Sequence, residues 1–102
     1  MVEVRADRMP IGLFGTNELT PFNRHYIQIM PGDSLYMFTD GYCDQFGGPD
    51  LKRFMKKNLV KMLSKIHTLS MDEQKKIIKQ TLEDWKGDLL QIDDILMIGI
   101  KI

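Results

Sequence analysis

Gly32-Asp33-Ser34-Leu35-Tyr36-Met37-Phe38-Thr39-Asp40-Gly41 is the stretch that decides the fold. From Ser34 to Thr39 nearly every position is apolar, which predicts a strand covered on both faces. Pro31-Gly32-Asp33 before it has the composition of a tight turn. Tyr26 to Met30 reads as a strand on the other side of that turn, so the two together predict a hairpin. Asp40-Gly41 ends the second strand.

Working outward, Gln45-Phe46-Gly47-Gly48-Pro49 is a Gly/Pro loop. Asp50 to His67 reads as a helix: Leu51, Phe54, Met55, Leu59, Met62, Leu63 and Ile66 recur at the spacing of one helical face. The basic residues concentrated between Lys52 and Lys65 fall on the opposite, solvated face. Ser70-Met71-Asp72-Glu73 matches a capping box. It opens a second helix with Met71, Ile78, Leu82 and Trp85 inward and Gly87 as its C-cap. Asp94 to Ile102 closes the chain as a strand, with Leu96, Ile98, Ile100 and Ile102 on one side and Ile95, Met97, Gly99 and Lys101 on the other. Toward the N-terminus, Val2 to Ala6 is a short strand candidate, and Arg8 to Gly12 is a loop. Strands, then two helices, then a strand predict an α+β domain with a largely antiparallel sheet.

Composition narrows the function. Basic and acidic residues balance at 14 each, so no general attraction to nucleic acid or to an anionic membrane is expected. Met1 to Arg8 is charged and polar with no apolar stretch behind it, and the longest apolar run, Ile95 to Ile100, is far too short to span a bilayer. The single cysteine, Cys43, excludes an intrachain disulfide and a CxxC metal pair, in keeping with a reducing, cytoplasmic location. No arginine follows Cys43 closely enough to hold a phosphate for a cysteine nucleophile. His25 and His67 have no neighbouring ligand and read as surface or packing residues. No EF-hand, Walker or zinc motif occurs.

Two places put carboxylates at a strand end: Thr39-Asp40-Gly41, and Asp93-Asp94 before the closing strand. Neighbouring strands can bring such ends within several Å. Converging carboxylates repel unless a cation lies between them, and oxygen-only ligands favour Mg²⁺, Mn²⁺ or Ca²⁺ over Zn²⁺. Taken singly, an Asp-Gly after a strand is also an ordinary turn and an Asp-Asp before a strand an ordinary polar cap.

The combination resembles a known family. Gly32 to Gly41 is similar to the "GD-x-L-x-x-x-TDG" segment of SpoIIE-like (PPM, type 2C) serine/threonine phosphatases. Asp93-Asp94-Ile95-Leu96-Met97-Ile98-Gly99-Ile100 resembles their closing "DD" strand, Arg8 to Gly12 their "PLG/PIG" loop, and Asp40 to Gly48 a version common in bacterial sensor-linked members. The resemblance runs along the whole chain.

It implies that residues 1–102 are the C-terminal portion of an α-β-β-α sandwich with two or more metal ions at one end of its sheets. Carried over by position, Asp40 and Asp93 become the ligands of Mn²⁺ or Mg²⁺. Asp94 takes the place of an Asn or Asp beside the ligand, Gly41 gives the sharp turn after it, and Asp44 would support a ligand from behind. Leu96 stands where many members have threonine.

The family's acidic pair and "DGxGH"-like segment, which supply the remaining ligands, have no counterpart before Arg8. This half alone is therefore expected to be inactive. The implied parent hydrolyses phosphoserine or phosphothreonine on a regulatory protein in bacterial signalling, with a sensor or regulatory domain upstream. The alternative is a non-catalytic interaction or regulatory domain without a working metal site. An uncovered apolar sheet face leads us to expect a homodimer of this segment, through Val2 to Ala6 or the closing strand.

Overall fold

The computed structural model describes residues 3–4 and 24–102. The apolar stretch forms strand β1, Ser34–Phe38. Then come α1 (Gly41–Asp44), β2 (Phe46–Gly47), β3 (Lys52–Arg53), α2 (Lys56–Ile66), α3 (Met71–Lys86) and β4 (Met97–Lys101).

The strand before the turn is not formed: residues 24–30 are irregular, and Tyr26 is 85% exposed. β1 pairs instead with the distant β4, antiparallel, from Ser34 opposite Lys101 to Phe38 opposite Met97. The turn closes locally, with the Met30 amide donating to Asp33 Oδ2 at 2.9 Å and the Asp33 amide to the Met30 carbonyl at 3.0 Å. The groups a hairpin partner would have used go to the chain end: Gly32 N donates to Ile102 O (3.0 Å) and Ile102 N to Asp33 O (2.9 Å). β4 begins at Met97, three residues later than the pattern predicts.

Register decides which face is covered. Tyr36, Phe38, Ile95 and Met97 pack against the core. On the opposite face Met37, Ile98 and Ile100 are exposed, so among the described residues this strand pair is covered on one face only.

The first helix also starts later than the periodicity predicts. Leu51 (φ 50°) and Met55 (φ 78°) lie outside the helical region, and residues 46–53 form a small ladder, Phe46 opposite Arg53 and Gly47 opposite Lys52. Leu51 and Met55 therefore point to solvent, whereas Phe54, Leu59, Leu63 and Ile66 are buried. Met55, at ψ 143°, occupies a region that costs a non-glycine residue about 1–3 kcal/mol. Hydrogen bonds hold it there: its amide donates to Cys43 O at 2.9 Å, and its carbonyl accepts from the Asn58 and Leu59 amides.

The second helix follows its pattern. Ser70 Oγ accepts from the Glu73 amide at 3.2 Å, and Gly87 ends α3 at φ 55°. Ile78, Leu82 and Trp85 lie against the core. An aromatic stack joins the layers, since the Phe54 ring meets Tyr42 (5.2 Å) and Trp85 (5.6 Å) edge-on. Buried Gln74 accepts a hydrogen bond from the Tyr36 hydroxyl at 2.6 Å through Oε1 and donates through Nε2 to the His67 and Leu69 carbonyls, so its burial leaves it bonded and ties sheet to helices.

The Val2 to Ala6 strand and the loop from Arg8 to Gly12 lie almost wholly outside the described residues. Glu3 and Val4, which are described, form no strand. Among the described residues no helix is long and apolar enough to cross a membrane.

Candidate functional site: a carboxylate rim at the end of the sheet

Thr39 joins the two distant acidic segments. Its amide donates to the Leu96 carbonyl at 3.0 Å. Its hydroxyl donates to the Asp94 carbonyl at 3.2 Å and accepts from the Leu96 amide at 3.0 Å. These bonds extend the β1–β4 ladder beyond Phe38 and set Thr39-Asp40-Gly41 beside Asp94-Ile95-Leu96.

Gly41 makes the closest approach. A Cβ there would lie 2.2 Å from the Asp94 carbonyl oxygen and 2.9 Å from Ile95 Cγ1. Only a residue without a side chain lets the backbone turn so tightly against the facing segment. The residues flanking Asp40 on either side thus touch the segment that carries Asp93 and Asp94, and the two acidic segments share one end of the sheet.

Asp40, Asp93 and Asp94 are exposed there. Asp40 precedes α1 without capping it through its side chain. Asp93 Oδ1 accepts from the Asp94 amide at 2.7 Å, and the Asp93 carbonyl accepts from Gln91 Nε2 at 2.9 Å. The Asp44 amide donates to the Asp40 carbonyl at 2.9 Å, one helical turn on, so residue 44 lies over residue 40. These are hard oxygen donors of the kind Mg²⁺ and Mn²⁺ prefer. Among the described residues, however, no group of three or more His, Cys, Asp or Glu could hold a metal ion. By itself the rim does not make up a metal site among the described residues.

Gln45, which the sequence pattern left in a loop, braces this arrangement. It is fully buried. Its Nε2 donates to the Phe46 carbonyl (3.1 Å) and to Leu90 O (2.9 Å), three residues before Asp93. Its carbonyl accepts from the Phe54 amide (3.0 Å) and from Trp85 Nε1 (2.9 Å). One residue just after α1 thereby ties the 88–93 loop to α3 and to the aromatic stack. No spacing signal marks it, because its partners are backbone groups far along the chain.

Cys43 is buried in the core beside Tyr42. Burial pushes its thiol pKa up, and the negative charges of Asp44 and Asp40 push it further, with Lys56 opposing. Burial likewise raises the Tyr42 phenol, whose hydroxyl donates to the Ile78 carbonyl at 2.7 Å. The folded state thus holds both protons more tightly than the unfolded chain does. Stability from these groups is present at neutral pH and falls as pH rises through and above the ordinary thiol and phenol range. Native alkylation of Cys43 by iodoacetamide at pH 8 is expected to be at least about tenfold slower than in denaturant, because thiolate and access are both suppressed. Equal rates would mean the thiol is neither buried nor raised.

The α+β arrangement of antiparallel strands and packed helices is that of a PP2C-type domain. The SiaA-PP2C domain of Pseudomonas aeruginosa matches at a TM-score of 0.76 and 26% identity, over 81% of this chain. A profile of the stage II sporulation protein E (SpoIIE) family matches residues 2–102, and the chain belongs to that family. It spans 34% of the length of the solved Pseudomonas domain. No curated protein matches the chain.

Proposed function

We propose that this chain supplies the C-terminal, Asp40- and Asp93-bearing part of a metal-dependent serine/threonine protein phosphatase acting on a phosphorylated regulatory protein in bacterial signalling, downstream of a sensor or regulatory domain. The observation that supports it best is the three-bond clasp of Thr39 on Asp94 and Leu96, which sets both acidic segments at one sheet end.

Asp40 and Asp93 would hold Mn²⁺ or Mg²⁺ together with ligands from the rest of the domain. Bound divalent ions supply Lewis-acid neutralisation of phosphoryl charge and lower the pKa of water. The residues of this chain do the positioning. Thr39 fixes the strand ends, Gly41 permits their approach, Asp44 stands behind Asp40, and Asp94 shapes the rim beside Asp93. Gln45 anchors the loop that delivers Asp93. No side chain here is needed as a covalent nucleophile, and the buried, proton-retaining Cys43 is unsuited to that role.

The test is metal dependence in the intact protein. Chelation by EDTA is expected to abolish phosphate release from a phosphoserine or phosphothreonine protein, and Mn²⁺ to restore it. Release that persists in EDTA would defeat the reading.

The open side of the β1–β4 pair is a second expectation. Leu96, Ile98, Ile100 and Ile102 are each between 41% and 58% exposed, an apolar face of the kind soluble proteins cover. In a whole domain of the Pseudomonas type, the remaining two-thirds of the fold would cover it. For this chain alone we propose pairing with a second copy across that face. Light scattering is expected to show a dimer that Ile98→Lys converts to monomer; a monomer at high concentration before any substitution would refute it.

A further inference from the structure

A cleft of about 600 Å³ opens between the β2–β3 ladder, the start of α2 and Trp85. Its composition differs from that of the open sheet face, because apolar and cationic groups alternate around it. Phe46, Leu51 and Met55 give it apolar surface, and Lys52, Arg53 and Lys57 surround them. Leu51 is 63% exposed and Met55 49%. Both are held outward by backbone with positive φ, fixed by the hydrogen bonds of the ladder and of the α2 start, so their exposure is a built feature and not a side-chain choice.

The charge lining the cleft is of one sign among the described residues. From residue 51 to residue 71 the sequence contains no Asp or Glu. Of the cations in this stretch, Lys56 pairs with Glu3. Lys52, Arg53 and Lys57 form no ion pair among the described residues, and Arg53 rests over the Phe46 ring at 5.6 Å. Another cleft among the described residues offers a contrast. Along α3, Lys76 and Lys79 line a cleft that Glu83 also lines.

We propose that the Phe46–Trp85 cleft is a docking site for an acidic peptide segment with apolar anchors, presented by a partner protein. Leucine-sized side chains enter between Leu51, Met55 and Phe46, and flanking carboxylates meet Lys52, Arg53 and Lys57. Apolar anchoring gives affinity, and the one-sign rim selects against basic segments. The inference stands apart from the hydrolytic reading, since no residue of the carboxylate rim takes part.

Trp85 is the only tryptophan and lines the cleft, so its emission reports occupancy. The probe is a hexapeptide of two adjacent leucines flanked on each side by two aspartates, titrated into the purified chain. A saturable emission change with micromolar affinity is expected. The double variant Lys52→Glu, Lys57→Glu is expected to weaken binding at least about tenfold by reversing the rim. Met55→Gly, which relieves the unfavourable backbone and so keeps the fold, is also expected to weaken it. Lys76→Glu with Lys79→Glu, at the other cleft, should leave it unchanged.

Several results would overturn the proposal: no saturation below millimolar peptide, equal binding of a lysine-flanked peptide, or equal binding by the double variant. A light-scattering dimer dissolved by Leu51→Asp but not by Ile98→Lys would seat a second copy in the cleft, and would overturn it too.

Discussion

Gly41→Ala is expected to destabilise the fold by about 3 kcal/mol or more, the upper range for forcing atoms into a packed site. The added methyl would meet the Asp94 carbonyl oxygen at 2.2 Å, its carbon at 2.9 Å and Ile95 Cγ1 at 2.9 Å. Two of those three atoms are backbone, which cannot rotate away as a side chain could. Nor can the facing segment withdraw, because Thr39 holds Asp94 and Leu96 through three hydrogen bonds. Gly87→Ala is the matched control. It has φ 55° with ψ −127° but no heavy atom within 4 Å of the added Cβ, so only the backbone penalty of a sparsely populated conformation applies, about 1–3 kcal/mol. For a domain of about 100 residues each kcal/mol moves Tm by roughly 4–8 °C. Thermal unfolding should therefore rank Gly41→Ala below Gly87→Ala. The same ranking reversed, or a Gly41→Ala protein as stable as the parent, would show that the two acidic segments do not meet as described. The effect would also reach the rim, since relief of the clash requires moving the turn after Asp40 away from Asp94 and Ile95.

Which parts of this arrangement were legible in the sequence follows from how far apart the interacting groups lie. β1, α3 and the C-cap at Gly87 are written in local pattern, and the structure has them. The meeting of Asp40 with the Asp93–Asp94 segment was readable only as a property of two strand ends, and the structure brings those ends together. The pairing that achieves it was misread. Tyr26 to Met30 has strand-like composition and a turn after it, yet Asp33 closes that turn with its own side chain and leaves the neighbouring position to the chain end. A local signal lost to a non-local partner, β4, which pairs with β1 along its whole length.

The early part of the Asp50 to His67 helix failed for a related reason. Leu51 and Met55 fit the helical period, but hydrogen bonds from residues 43 and 45 pull the backbone into a ladder and a positive-φ turn. Two residues the pattern would bury thereby became surface. Gln45 escaped notice because its hydrogen bonds involve backbone groups or the Trp85 indole, none of which a linear motif records.

In the intact protein, the proposed metal-dependent phosphatase reading predicts that Asp40→Asn lowers Mn²⁺-dependent phosphate release by roughly a thousandfold, about 4 kcal/mol of transition-state stabilisation, while leaving the fold unchanged. The two effects separate cleanly at this position. Asp40 is exposed, and its side chain makes no capping bond to α1, so the isosteric amide removes one negative charge and nothing structural. Asp93→Asn is expected to behave alike, because the amide oxygen can still accept the Asp94 N–H bond now made by Oδ1 at 2.7 Å. Asp44→Asn and Asp94→Asn serve as comparisons. Each removes the same charge from the same rim without removing a proposed ligand, so their losses should be smaller, about tenfold to a hundredfold, as for groups that only support ligands. Circular dichroism and melting temperature must be unchanged throughout for the comparison to hold. Equal losses at all four positions would reduce the rim to a diffuse negative field, and full activity in Asp40→Asn or Asp93→Asn would remove that residue from the metal site. A steep drop at 40 and 93 with a shallow one at 44 and 94 is the pattern that only direct ligation by those two carboxylates produces.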